Sequence, residues 1–317
     1  MIHPEYEYLK LLAKLLKNGK GKKTRGIHGG KSLFGYQMRF DFRHGFPVLT
    51  TKKMPWKIMT RELLWFISGS SNIRKLQEKG IKYWDDFADT EGNLGPVYGV
   101  QWRKWPAFTP LTQPKPDFYA HEMSETDSFK SDFPKPKYWV DENGDKHEFD
   151  NKVGLYQRTE LDQLKWAISE IKNNPDSKAI IVQAWNTAYL DSMRLPPCHT
   201  MFQFDVTKGK LRLHLYQRSS DVFLGLPFNI TQYALLLAMV AHVTGLEARE
   251  FVVSIGSALL YYNHIEPAKE QLKRKPYPFP KLWLNPEVTD IDNFSIKDIK
   301  RKGYEAHPRI KGELVVL

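Results

Sequence analysis

The sequence predicts an α/β fold in which helices flank a large mixed β-sheet. Tyr8, Leu11 and Leu15 recur at helical spacing, whereas apolar and polar side chains alternate over residues 211–216. These two periods are those of an amphipathic helix and of a half-buried strand. A third observation is the apolar stretch at 230–244, which predicts a buried helix. The chain of 317 residues is long enough for one large domain or two small ones.

The remaining elements follow from the same two periods. In chain order we predict helices over 4–17, 55–67 and 161–171 and strands over 33–42, 180–182, 211–216 and 252–255. Residues 18–23 look like a glycine- and lysine-rich break. Composition changes between about 107 and 157, where prolines and scattered charges predict an insertion within a single domain spanning 1–317. Inside it, Asn143-Gly144 predicts a hairpin over 138–149.

Composition excludes several classes of protein. Apolar residues make up 41% and charged residues 26%, which is typical of a globular chain, and no apolar run approaches the roughly 20 residues that cross a bilayer. The lone cysteine cannot form an internal disulfide, so we expect a cytoplasmic location. A formal charge of +11 favours anionic partners. No segment combines basic and aromatic residues as an RNA-binding module does, so nucleic acid is not expected.

Residues 194–229 contain the most informative side chains. Cys198 precedes an alternating strand-like run, and Arg218, Asp221 and Asn229 follow at the end of the next one. A cysteine reacts as its thiolate, which a nearby cation such as Arg218 favours. A buried structural cysteine is the simpler alternative. A cysteine–histidine protease is the other, but adjacent extended residues point to opposite faces, so His199 is a poor base for Cys198.

Several blocks in this region carry a resemblance. Residues 195–199 read Leu-Pro-Pro-Cys-His, 216–219 read Tyr-Gln-Arg-Ser, and 224–229 read Leu-Gly-Leu-Pro-Phe-Asn. In this order and at this spacing they resemble the signature of the folate-dependent thymidylate synthase family. The likeness extends from about residue 6 to the C-terminus, apart from the insertion.

The resemblance implies a function for many residues. The catalytic residues would be Cys198, Glu62, Tyr98, Asn229, Arg218 and Asp221. The nucleotide would be bound by Arg25, Lys178, Arg218, Ser219, Gln217, Asp221, Asn229, Tyr261 and His199. The folate would be bound by Trp84, Asp221, Leu195, Gly225, Phe228 and Ile58. The co-substrate would be 5,10-methylenetetrahydrofolate, with no metal, and two subunits would pack sheet to sheet as a homodimer.

Three departures from the family pattern concern the nucleotide's phosphate and sugar. Residues 26–28 replace the usual Thr-Gly-Thr after Arg25. Lys178 and Ala179 replace two arginines that, in the family, grip the phosphate bound by the other subunit. Ser257 and Leu259 replace an aspartate and a sugar-binding histidine.

Three functions remain open. A thymidylate synthase makes dTMP from dUMP through a Cys198 adduct at C6 and then reduces the transferred carbon, leaving dihydrofolate. A deoxyuridylate hydroxymethylase adds water instead. Phage hydroxymethylases share the Gly-Ser of residues 256–257, so the chain could be phage-encoded and act in the host cytoplasm. The third alternative is a nucleotide- or RNA-binding relative with weakened catalysis.

Overall fold

The computed structural model describes residues 3–24, 29–110, 138–140, 146–148 and 156–313. The chain divides into two compact units. The larger consists of Met1–Lys104 with Asp162–Leu317, and the smaller consists of Trp105–Leu161.

A six-stranded sheet forms the centre of the larger unit. Its strands are β1 (Lys20–Lys22), β2 (Gly30–Asp41), β7 (Ile181–Gln183), β8 (His199–Thr207), β9 (Lys210–Asp221) and β10 (Glu247–Tyr261). They lie in the order β1-β2-β10-β9-β8-β7. Neighbours run antiparallel except β9 and β10, which are parallel, so the sheet is mixed as predicted.

Helices flank this sheet. They are α1 (Tyr6–Asn18), α2 (Trp56–Ile67), α3 (Arg74–Gln77), α4 (Gly99–Arg103), α5 (Gln163–Asn173), α6 (Gly225–Thr244) and α7 (Ile265–Leu272). A small ribbon, β11 (Lys281–Leu284) with β12 (Ile299–Lys302), lies apart from the main sheet. The predicted mixture of helices around a large mixed sheet is therefore confirmed.

The core lies between the sheet and α6. Leu211, Leu213 and Leu215 of β9 are fully buried, because the period-2 alternation directs every second side chain inward. Helix α6 is buried on nearly all sides. It has 20 residues and is apolar enough to cross a membrane, yet 78% of its apolar window is buried inside the protein. It is longer than the predicted 230–244 because residues 225–229 are also helical, so the expectation of no apolar run near 20 residues was wrong.

Other boundaries also differ from the sequence predictions. Leu161 belongs to a strand, and α5 begins two residues later because the Asp162 carboxylate accepts a hydrogen bond from the Lys165 amide and caps the helix. The supposed break at 18–23 contains β1, which pairs with β2. β10 is far longer than 252–255, since pairing on both sides extends it.

The smaller unit consists of short antiparallel pairs. β3 (Trp105–Pro110) pairs with β6 (Tyr156–Leu161), and β4 (Tyr138–Val140) pairs with β5 (Lys146–Glu148). The second pair agrees with the predicted hairpin, although its turn at Asn143-Gly144 lies outside the described residues. The unit's bounds are close to the predicted insertion at 107–157.

Candidate active site

Cys198 lies immediately before β8, where three bonds fix its surroundings. Its amide donates to the Tyr98 hydroxyl (3.1 Å), and its carbonyl accepts from the Arg218 amide (2.9 Å). Its Sγ lies 3.4 Å from Ser219 Oγ. The side chain is half-buried. The thiol thus lies on a fixed backbone beside polar groups, which fits a reactive cysteine better than a purely structural one.

Tyr98 occupies an unusual backbone conformation beside this cysteine. Its φ is 36°, in a region that residues other than glycine rarely adopt. The next residue must be glycine, because a Cβ at Gly99 would lie 2.1 Å from the Phe66 carbonyl oxygen. Strain of this kind tends to persist at functional sites. Here it directs the Tyr98 hydroxyl at the Cys198 amide.

Three hydrogen bonds fix the Arg218 side chain. Its Nε donates to the Pro197 carbonyl (2.9 Å) and its Nη2 to the Pro196 carbonyl (2.6 Å). Its Nη1 donates to Ser219 Oγ (3.3 Å). A guanidinium has five N–H groups, so two remain for an anionic ligand. The charge is therefore positioned in advance of binding.

The Glu62 carboxylate is buried and accepts hydrogen bonds from two side chains. Trp84 Nε1 donates to Oε1 and Gln232 Nε2 donates to Oε2, both at 2.6 Å. The side chain is only 5% exposed. Burial raises the pKa of Glu62, while the hydrogen bonds from Gln232 and Trp84 oppose that rise. A carboxyl with a raised pKa suits proton transfer near neutrality.

Asn229 and His199 form the next part of the site. Gln217 Nε2 donates to Asn229 Oδ1 (2.8 Å), and the His199 ring lies close to the Asn229 side chain. Burial lowers the pKa of His199 to about 4, so its ring is neutral near pH 7. The ring packs against Tyr98 and Tyr233. His199 is therefore a buried ring that is neutral near pH 7.

Asp221 ends β9 with one oxygen committed and one free. Its Oδ1 accepts from the amides of Phe223 (2.9 Å) and Leu224 (3.1 Å). Within the described residues its Oδ2 accepts no hydrogen bond. A free carboxylate oxygen can accept a hydrogen bond from an N–H of a ligand.

The resemblance predicts sugar binding by a row of side chains next to Ser219 and Asp221, and we call this row the sugar end of the site. The parallel register places Ser257 beside Ser219 and Leu259 beside Asp221. Lys22 Nζ donates to Ser257 Oγ (3.0 Å), and Ser32 Oγ lies 3.3 Å from the same oxygen. The other residues form the catalytic end, which comprises Cys198, Tyr98, Glu62, Trp84, Gln232, Asn229, Gln217 and His199.

Tyr261 lies on the same strand as Ser257 and Leu259. Burial raises its pKa to about 12, and the nearby charges of Asp221 and Cys198 add to the effect. Tyr261 therefore stays protonated and can donate a hydrogen bond at neutral pH.

Some of the other residues expected to bind ligands also lie near this region. Phe228, in the first turn of α6, packs edge-on against Tyr83, the neighbour of Trp84 (6.2 Å between ring centroids). Gly225 begins α6 directly after the Asp221 turn. Ile58 and Leu195 are half-buried against the core. Their contacts with a folate remain predictions.

Of the expected phosphate ligands Arg25 and Lys178, the structure describes only Lys178. Arg25 lies outside the described residues. Lys178 is exposed just before β7, where its carbonyl accepts from Gln203 Nε2 (2.8 Å). Within the described part of the chain, its side chain makes no hydrogen bond to Arg218 or Ser219. Its proposed contact with a second subunit stays a prediction.

The match to a known family decides the relationship. A model of the thymidylate synthase family covers residues 6–316, nearly the whole chain. The chain belongs to this family. Thymidylate synthases transfer a one-carbon unit in nucleotide biosynthesis, with a uracil nucleotide and a methylene-folate as substrates. Among the described residues, no group of three or more His, Cys, Asp or Glu side chains is arranged to hold a metal ion.

Sequence reasoning missed four residues of this family member's site. Gln232 donates a hydrogen bond to Glu62, Tyr83 lies beside Glu62, and Lys52 and His264 lie beside Asp221. Gln232 falls in an apolar helix and Lys52 in a lysine pair, so neither has a local signal. A glutamine or lysine at a position that should be buried is the only clue the pattern offers.

Lys52 is an unusual buried cation. Its Nζ donates to the Phe223 carbonyl and lies 3.8 Å from the Phe223 ring centroid. Burial lowers the pKa of Lys52 to about 7, although the charges of Asp221 and Glu5 partly offset this. Buried groups with such shifts are common at functional sites.

Proposed function

We propose that this family member is a thymidylate synthase that converts dUMP to dTMP. The observation that carries the proposal is the pairing of a fixed Cys198, beside Arg218 and Ser219, with a buried and fully bonded Glu62. The first set suits a nucleophile next to an anion site. The second suits proton transfer away from bulk water.

Cys198 would begin the reaction by adding to C6 of the uracil ring. That addition makes C5 electron-rich and places enolate charge on O4. The folate co-substrate supplies the one-carbon unit and, in the last step, a hydride. Glu62 would donate and accept protons near O4, and the Asn229 amide would stabilise the enolate charge on O4.

Base choice would depend on Asn229. Its Oδ1 already accepts from Gln217 and has a second lone pair for the N3–H of uracil, while its amide N–H can donate to O4. Cytosine reverses this pattern at position 4. We expect Asn229→Asp to shift preference toward dCMP by at least about tenfold, because a buried mismatched polar pair costs on the order of 1–3 kcal/mol. Unchanged discrimination would remove Asn229 from this role.

The enclosed surroundings of Glu62 favour reduction over hydration. Trp84 is buried and packs against Trp65, Phe87 and Tyr98. A site lined by packed aromatic rings has little room for the water that would hydrate the intermediate.

One incubation tests the proposal. The protein is mixed with dUMP and 5,10-methylenetetrahydrofolate, the pyrimidine product is identified by mass spectrometry, and dihydrofolate is followed by absorbance. We expect dTMP and dihydrofolate in equal amounts. No turnover of any pyrimidine nucleotide, together with salt-sensitive RNA binding, would favour a binding protein instead.

The second candidate is a deoxyuridylate hydroxymethylase. The sugar end favours it, since Ser257 bonds to Lys22 and Ser32, and Leu259 cannot bond to a sugar hydroxyl. The same incubation separates the two candidates. A hydroxymethylase would give 5-hydroxymethyl-dUMP without dihydrofolate.

We also propose a homodimer formed through the outer face of the main sheet. This face carries a shallow groove lined by Gln183, Trp185, Thr200, Met201, Tyr216 and Arg218. Phe34, 84% exposed, is a further apolar side chain on this sheet. Exposed aromatic side chains of this kind mark contact surfaces. Light scattering would reveal the dimer, and a fully active monomer would contradict the role of Lys178.

A further inference from the structure

His264 is a completely buried side chain that the proposed chemistry does not use. It follows β10 and precedes α7, with no exposed surface. Its ring lies against Phe223 (5.2 Å between centroids) and Tyr261 (5.8 Å). A buried imidazole normally satisfies both nitrogens. Here only one of them has a hydrogen-bond partner within the described residues.

The satisfied nitrogen contacts the C-terminal segment. His264 Nε2 lies 2.8 Å from the Glu313 carbonyl oxygen. A carbonyl can only accept, so Nε2 must carry the hydrogen and donate. We call residues 304–313 the tail. His264 is thus its last anchor in the described chain.

The other nitrogen faces Asp221. His264 Nδ1 lies 3.7 Å from Asp221 Oδ1, too far for a hydrogen bond, and has no partner within the described chain. The same Oδ1 accepts from the Phe223 and Leu224 amides. The two amides hold Oδ1, and the imidazole fills the space on that side of the carboxylate.

The tail also contacts the turn that Asp221 caps. A Cβ on Gly312 would lie 3.0 Å from Leu224 Cδ2 and 3.1 Å from Phe223 Cε1, so the tail lies tightly against both residues. Farther back, Arg274 Nη1 donates to the Pro308 carbonyl (2.7 Å), and the His307 amide donates to the Thr50 carbonyl (2.8 Å). Of these residues that bind the tail, His264 is the one whose ring also faces the Asp221 carboxylate.

We propose that His264 is a positioning residue that couples docking of the tail to the orientation of the Asp221 carboxylate. With the tail docked, the Glu313 carbonyl fixes the ring orientation. The ring then fills the space beside Oδ1, so the carboxylate stays on the Phe223 and Leu224 amides with Oδ2 free for a ligand N–H. When the tail leaves, the ring loses the one hydrogen bond it makes within the described chain and is free to turn away from Oδ1. The effect on folate binding rests on the proposed function, whereas the coupling itself does not.

Two conservative variants separate the two sides of the ring. Glutamine can place an amide donor where Nε2 lies, and asparagine can place one where Nδ1 lies. His264→Gln should therefore keep the tail docked, whereas His264→Asn should release it. His242→Gln is a matched control, because His242 Nε2 also lies 2.9 Å from a backbone carbonyl oxygen, that of Val288, away from the tail.

The first measurement uses the unliganded protein. Limited trypsin cleavage after Arg309 or Lys311 is followed by intact mass spectrometry, since the cleavage rate reports how often the tail is undocked. We expect His264→Asn to accelerate tail cleavage about fivefold, the effect of losing one buried hydrogen bond. His264→Gln and His242→Gln should stay within about twofold of the parent. Equal rates for the parent and His264→Asn would overturn the proposal.

A double-mutant cycle then tests the coupling without any substrate. Asp221→Asn keeps an oxygen for the Phe223 and Leu224 amides but changes the group facing Nδ1. If His264 couples the two, the effects of Asp221→Asn and His264→Asn on tail cleavage will be non-additive by about threefold or more. Additive effects would show that the tail and Asp221 are independent, and the proposal would fail.

The third measurement connects the coupling to the reaction. In His264→Gln, with the tail docked, KM for the folate should rise about three- to tenfold while KM for dUMP stays unchanged. A purely structural defect would lower kcat and thermal stability as well. An inactive parent protein would refute the proposed function, while the two cleavage experiments would still decide the coupling.

Discussion

The two ends of the site are built differently. At the catalytic end, Glu62, Asn229 and Gln217 are almost fully buried and hydrogen-bonded to one another or to neighbours. At the sugar end, Lys22 is exposed and Leu259 offers no hydrogen bond. A substitution at the catalytic end leaves a buried polar group without a partner. At the more exposed sugar end, water can replace a lost hydrogen bond. Folding therefore constrains the residues of the catalytic end, whereas residues of the sugar end can be substituted at a lower cost in stability.

The largest expected effect is at the catalytic end. Cys198→Ala should lower kcat by at least about 10³-fold, because the adduct at C6 cannot form. Nucleotide binding should remain measurable by calorimetry, since Arg218 and Asn229 are untouched. The Ser219→Ala variant, which removes only the hydroxyl near Sγ, is the milder comparison. Retained turnover in Cys198→Ala would refute the nucleophile assignment.

Glu62→Gln should have the next largest effect. An amide cannot accept from both Trp84 and Gln232, so one buried donor loses its partner, and the proton-transfer group is lost as well. We expect kcat to fall about 10²- to 10⁴-fold. Thermal unfolding of the same sample separates catalysis from folding. A variant that unfolds normally and turns over at the parent rate would show that Glu62 is only structural.

Lys52→Met tests the buried cation beside Asp221 through the pH dependence of stability. The pKa of Lys52 is about 7 in the folded protein and about 10.5 unfolded, so the unfolded chain binds more protons between these values. Stability contributed by this group therefore rises as pH increases from 7 to 10.5, and below 7 its full penalty of a few kcal/mol applies. Lys52→Met should flatten this slope in chemical denaturation. Its exposed neighbour, as Lys53→Met, should leave the slope unchanged.

Leu259→His should have the smallest effect, because it restores a hydrogen bond at the more exposed end. We expect KM for dUMP to fall about two- to tenfold with kcat unchanged. The deoxyribose dependence is measured by comparing dUMP with UMP. An unchanged KM would mean that residue 259 does not contact the sugar. The sugar end would then not determine sugar specificity.

Sequence alone predicted much of the fold, and the site residues that it proposed lie mostly in contiguous motifs. The alternation over 211–216 and the helical spacing of Tyr8, Leu11 and Leu15 are local, so β9 and α1 lie where expected. The motif around Cys198 and Arg218 likewise depends on adjacent strands, and the structure brings both to Ser219. Periodicity cannot locate the ends of an element whose boundary is set by a cap or by partner strands, as at Asp162 and β10.

Only the tertiary structure decided which side chains contact residues far away in the sequence. Gln232 contacts Glu62 across 170 positions, Lys52 contacts Phe223 across 171, and His264 contacts Glu313 across 49. No local period records such contacts, because they depend on which faces of separate elements are buried together. The sequence determined the chemical groups. The packing decided their partners, and with them which carboxyl takes up protons more readily, which lysine has its pKa lowered, and which oxygen of Asp221 remains free.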